Sequence, residues 1–244
     1  MLILLTFLLA GPVAAASPND AGLFYERAQL AFQESQDQAA LEWLSRATNS
    51  EQEAGRGDYA SGLEKAAATL FQWGQVRWQE KSRELESKGL LRKNQHPKFF
   101  FEELLRRYPQ SARADDAALL FLEDGFCYEW GGYPDCPAFE IRQYENFLET
   151  YPFSDRRGHV LLEMARRYQA LAERYSEEAP WHHQARAELC GAMSQTLWQE
   201  LMGSYPGTPE AEDASKHLEE IPPEQRPAIP IPPGVFGYLR EGQD

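Results

Sequence analysis

Three stretches of this chain close in the same way: FEELLRRYPQS (Phe101–Ser111), YENFLETYPFS (Tyr144–Ser154) and WQELMGSYPGT (Trp198–Thr208). Counting from the Tyr of Tyr-Pro, an aromatic stands seven residues earlier, apolar residues stand four and three earlier, and Ser or Thr follows three later. At 100° per residue these three positions and the Tyr itself form a stripe about 100° wide, the width of a packed helix face, so Tyr151 is expected to be a core residue between two helix pairs. Pro109, Pro152 and Pro206 disfavour helix at the preceding Tyr and stop the run. Ser111, Ser154 and Thr208 are then placed to cap a new helix, and Pro209 and Glu210 strengthen the third start. The unit is a helix, a tight turn and a second helix. One such pair cannot bury its stripe alone, whereas stacked pairs share a continuous core.

The rest of the chain extends the helical pattern. Ser17-Pro18 offers a cap and a first-turn proline. From Asp20 to about Ala47 the apolar spacing suits one long helix or two short ones. Residues 48–57, with Gly55 and Gly57, read as a loop. A helix resumes from about Tyr59 to Leu85, and Gly89 to His96 reads as a basic connector. Strand-like alternation is scarce, so the chain is expected to be all-α, a solenoid of helical hairpins with an extended Pro-rich C-terminal tail. Segment by segment, this gives a signal peptide over 1–16, an N-terminal helical region over 17–96, helical repeats over 97–220 and the tail over 221–244.

The first 16 residues, MLILLTFLLAGPVAAA, carry no charge and end in small residues, the pattern of a secretory signal with its cleavage site. The apolar run is too short to span a bilayer as a helix. A periplasmic, exported protein is expected, with no lipid anchor because no Cys lies near the cleavage site. Export exposes the three cysteines to an oxidising compartment. Cys127 and Cys136 flank the turn-forming YEWGGYPD and can meet across it, or remain two buried thiols. Cys190, in a helical stretch, reads as a small buried hydrophobe. Formal net charge is −14 with a pI near 4.9. That field disfavours nucleic acid and anionic membranes as partners.

The repeated signature resembles the second helix and turn of tetratricopeptide repeats, in the variant of the bacterial envelope proteins of the BamD and CpoB type. In that variant Ala follows three and six residues after the Ser. Ala114 and Ala117 match it in the first copy, and Ala211 and Ala214 in the third. The second copy carries Arg157 and Val160, and the three tyrosines stand further apart than the roughly 34 residues of the standard unit. The resemblance covers about residues 97–220. It implies a TPR-like scaffold that binds protein or peptide partners, with a role in outer-membrane or cell-envelope assembly.

No catalytic motif stands out: there is no H-E-x-x-H, Walker loop, dinucleotide fingerprint or nucleophile elbow. His182-His183 suits a helix start better than a metal site, since adjacent helical positions diverge by 100°. His159 and Glu163, one turn apart, read as a surface pair, and Arg56-Gly57-Asp58 reads as loop. No metal site and no cofactor are expected, and the chain is read as a non-enzyme. The rival reading is a helical enzyme, or an accessory domain of one, with a site that short motifs do not reveal. Two features bear on recognition. Arg156, Arg167 and Arg174 line up beside the stripe formed by Leu161, Met164, Tyr168, Leu171 and Tyr175, either to grip a partner's carboxylates or as a solvated face with Glu163 and Arg167 paired. The tail IPPEQRPAIPIPPGVFGYLREGQD favours an extended PPII form, and its apolar residues suit docking on the protein's own helices or capture by another protein.

Overall fold

The computed structural model describes residues 18–53, 59–89, 96–124, 133–176 and 181–221. These form helices and turns only. In chain order the helices are α1 (Pro18–Gln33), α2 (Asp37–Glu53), α3 (Tyr59–Ser87), α4 (Phe99–Arg107), α5 (Ala114–Glu123), α6 (Asp135–Thr150), α7 (Arg157–Ser176), α8 (Gln184–Ser204) and α9 (Pro209–Glu220). The all-α architecture of sequential helical hairpins is as the sequence predicts. The expected signal peptide, the Arg56-Gly57-Asp58 triplet, Cys127 and the tail beyond Ile221 lie outside the described residues.

The three Tyr-Pro turns share one hydrogen-bond pattern. The helices before them stop one residue short of Tyr108, Tyr151 and Tyr205. Each Tyr N–H still donates to the carbonyl four residues back, on Leu104, Phe147 and Leu201, at 2.7, 2.8 and 2.9 Å. The N–H of Ser111, Ser154 or Thr208 then donates to that Tyr's carbonyl at 3.0–3.2 Å, closing the turn. Pro supplies the fixed φ of the first central position, so the chain reverses with little entropy left to lose. In the third copy Gly207 takes a positive φ of 80°, which its lack of Cβ permits. Thr208 caps α9 by accepting from the Ala211 N–H. Ser111 and Ser154 instead accept from the N–H two residues on, within turns that lead into α5 and α7.

The buried face is narrower than the four-position stripe. Phe101, Tyr144 and Trp198, seven before Tyr, are buried, as are Leu104, Phe147 and Leu201. Leu105 and Leu148 are half-buried, and Met202 is 42% exposed. The Tyr-Pro tyrosines are themselves half-buried, so Tyr151 is a rim residue and not the fully enclosed core residue the repeat register predicts. The alanine positions behave as expected, with Ala114, Ala117, Ala211 and Ala214 all buried. Val160 fills the equivalent place in the second copy.

Two compact units form: one from Met1–Val76 with Phe99–Ala114, the other from Arg77–Lys98 with Asp115–Asp244. The first part of α3 groups with α1, α2 and α4, and its last part with α5 and the later helices. In the first unit, α1 and α2 pair across Ala28, Ala31, Ala40 and Ala47, whose small side chains allow close approach. The Phe32 ring stacks on Trp73 at 4.9 Å, and Phe100 meets both edge-on. In the second unit α7 is central, packing on α6, α8 and α9. Its Leu161, Met164, Tyr168 and Leu171 are at most 2% exposed. Burying such side chains contributes about 1.5–3 kcal/mol each.

Candidate functional site: a groove on α7 and α8

Helices α7 and α8 leave an open groove of about 690 Å³ along their shared flank. Gln169, Ala172, Glu173 and Ser176 of α7 form one wall at helical spacing. Gly191, Ser194, Gln195 and Trp198 of α8 form the other, and Ile221 closes one side. Gly191 and Ala172 face each other without large side chains, which keeps the groove open. Ser194 is spent inside the fold, donating to the Ala165 carbonyl at 2.8 Å. Trp198 is 2% exposed and stacks on His217 at 4.8 Å, which fixes its ring.

Two lining groups have hydrogen-bonding capacity to spare. Among the described residues, Gln195 Oε1 and Trp198 Nε1 have no partner. Buried polar atoms in that condition cost about 1–3 kcal/mol each, and a ligand supplying a donor and an acceptor recovers part of it. Gln169 Nε2 donates to Glu173 Oε1 at 3.2 Å. The walls therefore bring the Gln169 and Gln195 amides and the Glu173 carboxylate together with small and apolar side chains, a mixture suited to an extended backbone carrying a cationic side chain.

The three arginines of the expected row have different surroundings. Arg156 precedes the first residue of α7 and bonds Asp116 Oδ1 at 2.7 Å. Arg167, 7% exposed, is a buried network centre. Its Nε donates to Glu140 at 2.7 Å, its Nη1 donates to the Glu163 carboxylate at 2.6 Å and carbonyl at 2.9 Å, and its guanidinium lies 4.7 Å from the Tyr144 ring centre. Burial raises the Glu163 carboxyl, but hydrogen bonds and charge from Arg167 and Arg166 outweigh it and hold it below the usual range. The expectation that Arg167 merely flanks the core is corrected, since Glu140 and Tyr144 of α6 enclose it. Arg174 is half-buried on α7. The structure does not bring the three together as one gripping surface.

His159 bonds Glu123 Nε2-to-Oε1 at 3.1 Å, while Glu163, its expected partner, is taken by the arginines. His183 caps α8, accepting from the Arg186 N–H. Cys136 is disulfide-bonded and Cys190 is a free, fully buried thiol. No cluster of three metal-ligating side chains occurs among the described residues.

One constellation escapes the sequence entirely. His96 Nδ1 meets Asp124 Oδ1 at 2.6 Å, and its Nε2 meets Ser82 Oγ at 2.9 Å. The ring stacks on Trp78 at 4.0 Å, and Lys98 reaches Asp124 Oδ2 at 3.2 Å. The order hydroxyl, imidazole, carboxylate is that of a nucleophile relay. Ser82, however, lies inside α3, and its Oγ also contacts the Trp78 carbonyl at 3.1 Å. Backbone N–H groups inside a helix are engaged in the helix and supply no oxyanion donors. The contacts pin His96 to α3. No motif spacing announces them, because the three residues come from separate elements. No protein-family model matches the chain, and no curated protein matches it by sequence. No described helix is long and apolar enough to cross a membrane.

Proposed function

We propose that this protein is a non-catalytic, exported helical-repeat scaffold that captures extended peptide segments of envelope proteins in the α7–α8 groove. The observation that carries the reading is the groove itself, with unsatisfied Gln195 and Trp198 groups beside the Glu173 carboxylate. A net charge of −14 steers cationic segments toward it and raises their encounter rate. The export element rests on the apolar leader-like stretch of residues 1–16, and the envelope-assembly role on the resemblance of the Tyr-Pro repeats to tetratricopeptide-repeat envelope proteins. Affinity purification from the native envelope tests it. Glu173→Arg with Gln195→Ala should leave circular dichroism unchanged and deplete the partners bound by wild type; full retention by the folded variant sinks the groove as the binding site.

The enzyme reading keeps one specific support, the Ser82–His96–Asp124 relay. A fluorophosphonate separates the two. Adduct formation at Ser82, with loss of fluoride and dependence on His96, favours a hydrolase, whereas an inert Ser82 favours the scaffold.

A further inference from the structure

The first unit carries a surface of opposite character. Trp43 on α2 is flanked by two guanidinium groups, Arg27 of α1 at 4.7 Å and Arg46 of α2 at 4.6 Å from the ring centre, with Phe24 stacked beside it at 5.8 Å. Elsewhere in this acidic chain Arg77, Arg107, Arg156 and Arg166 each sit on a carboxylate. Arg27 and Arg46 form no ion pair among the described residues, although Glu26 and Glu42 adjoin the cluster in sequence. A guanidinium held over an indole keeps N–H donors available, so the two groups are placed ready for an anion. Apolar side chains frame them. Leu23 and Leu30 are 44% and 57% exposed, and they stand four residues before and three after Arg27 on the same face of α1. That places them about 10 Å apart along the helix.

We propose that the Leu23–Arg27–Leu30 face with Trp43 and Arg46 docks an acidic amphipathic helix of another protein, one whose carboxylates lie between apolar side chains at helical spacing. A helix packed along α1 sets its own apolar residues against Leu23 and Leu30 and a carboxylate against the two forks. A second copy of this chain does not fit as a two-fold partner, because the stripe would meet itself and oppose arginine to arginine. The protein's overall negative charge is screened beyond about 8 Å at physiological ionic strength, so the local cations decide the contact.

The test uses the full chain and a capped synthetic helical peptide with Glu between Leu residues at this spacing, together with its Glu-to-Gln counterpart and vesicles of phosphatidylglycerol and phosphatidylcholine. Wild type should bind the Glu peptide and bind the Gln peptide at least about tenfold more weakly, as a charge-paired contact requires. Arg27→Glu with Arg46→Glu should abolish binding of the Glu peptide, and Arg27→Gln with Arg46→Gln should weaken it, both with unchanged circular dichroism. Equal binding of the two peptides, or none by either, overturns the proposal. Vesicle binding without peptide binding overturns it in favour of a lipid surface.

Discussion

The ring of Phe101 lies across Gly74: a Cβ added there would stand 2.6 Å from the ring's Cε1. Phe101 is the first motif aromatic and is fully buried, so its ring cannot retreat to solvent. Gly158 of α7 faces the third-copy Tyr205 with more room, its added Cβ falling 3.5 Å from the ring. Both glycines are helical, so Ala recovers up to about 1 kcal/mol of backbone entropy at either. At Gly74 the clash outweighs that gain. Gly74→Ala should destabilise the first unit by about 1–2 kcal/mol, whereas Gly158→Ala should raise stability by up to about 1 kcal/mol. Urea denaturation reads both signs.

Arg167→Ala leaves the Glu140 carboxylate, 3% exposed, without its cation. The expected cost is about 3–5 kcal/mol. Arg156→Ala removes a pair whose arginine is half exposed and should cost about 0–1 kcal/mol. Replacing Glu140 and Arg167 together by Leu and Met should restore most of the loss, because no buried charge is then unpaired. Thermal melts of these variants distinguish a structural network from a surface stripe.

The Glu123 hydrogen bond lifts the His159 imidazole above its ordinary 6.5, against the lowering effect of burial. A raised folded value means that the protonated form is favoured by folding. The contribution is therefore complete below pH 6.5 and is lost as pH rises through the higher folded value. The stability difference between wild type and His159→Gln should be largest on the acid side of neutrality and shrink above it. A difference independent of pH would show that the ion pair does not form.

Burial pushes the Cys190 thiol up to about 11, so it should resist alkylation until the protein unfolds. Non-reducing peptide mapping of the oxidised protein should join Cys136 to Cys127. A map with Cys136 joined elsewhere, or rapid Cys190 labelling in the native state, contradicts this assignment.

What the sequence revealed was local. Tyr-Pro followed by Ser or Thr encodes its turn within a few residues, and all three copies adopt the same backbone hydrogen bonds. Periodicity does not decide the break between α1 and α2, because QESQDQ contains neither Gly nor Pro. Ser35 makes the reversal there with a φ of 58°, an uncommon conformation for a residue with a Cβ. The surroundings of Arg167 are illegible in the sequence for a different reason. Helical periodicity places it beside the core of α7, but only α6 decides that Glu140 and Tyr144 enclose it. The groove and the Ser82–His96–Asp124 contacts depend likewise on residues far apart in sequence, and no spacing rule joins them.

The most direct measurement of peptide capture is photocrosslinking in the native envelope, with a photoreactive amino acid replacing Ala172 inside the groove or Glu80 on the exposed surface of α3. Capture predicts an ultraviolet-dependent adduct from position 172, mapping to an extended segment with Lys or Arg, which disappears when Glu173 is changed to Arg. Position 80 should give none of it. Equal adducts from both positions, or an adduct at 172 indifferent to Glu173, would contradict peptide binding in the α7–α8 groove.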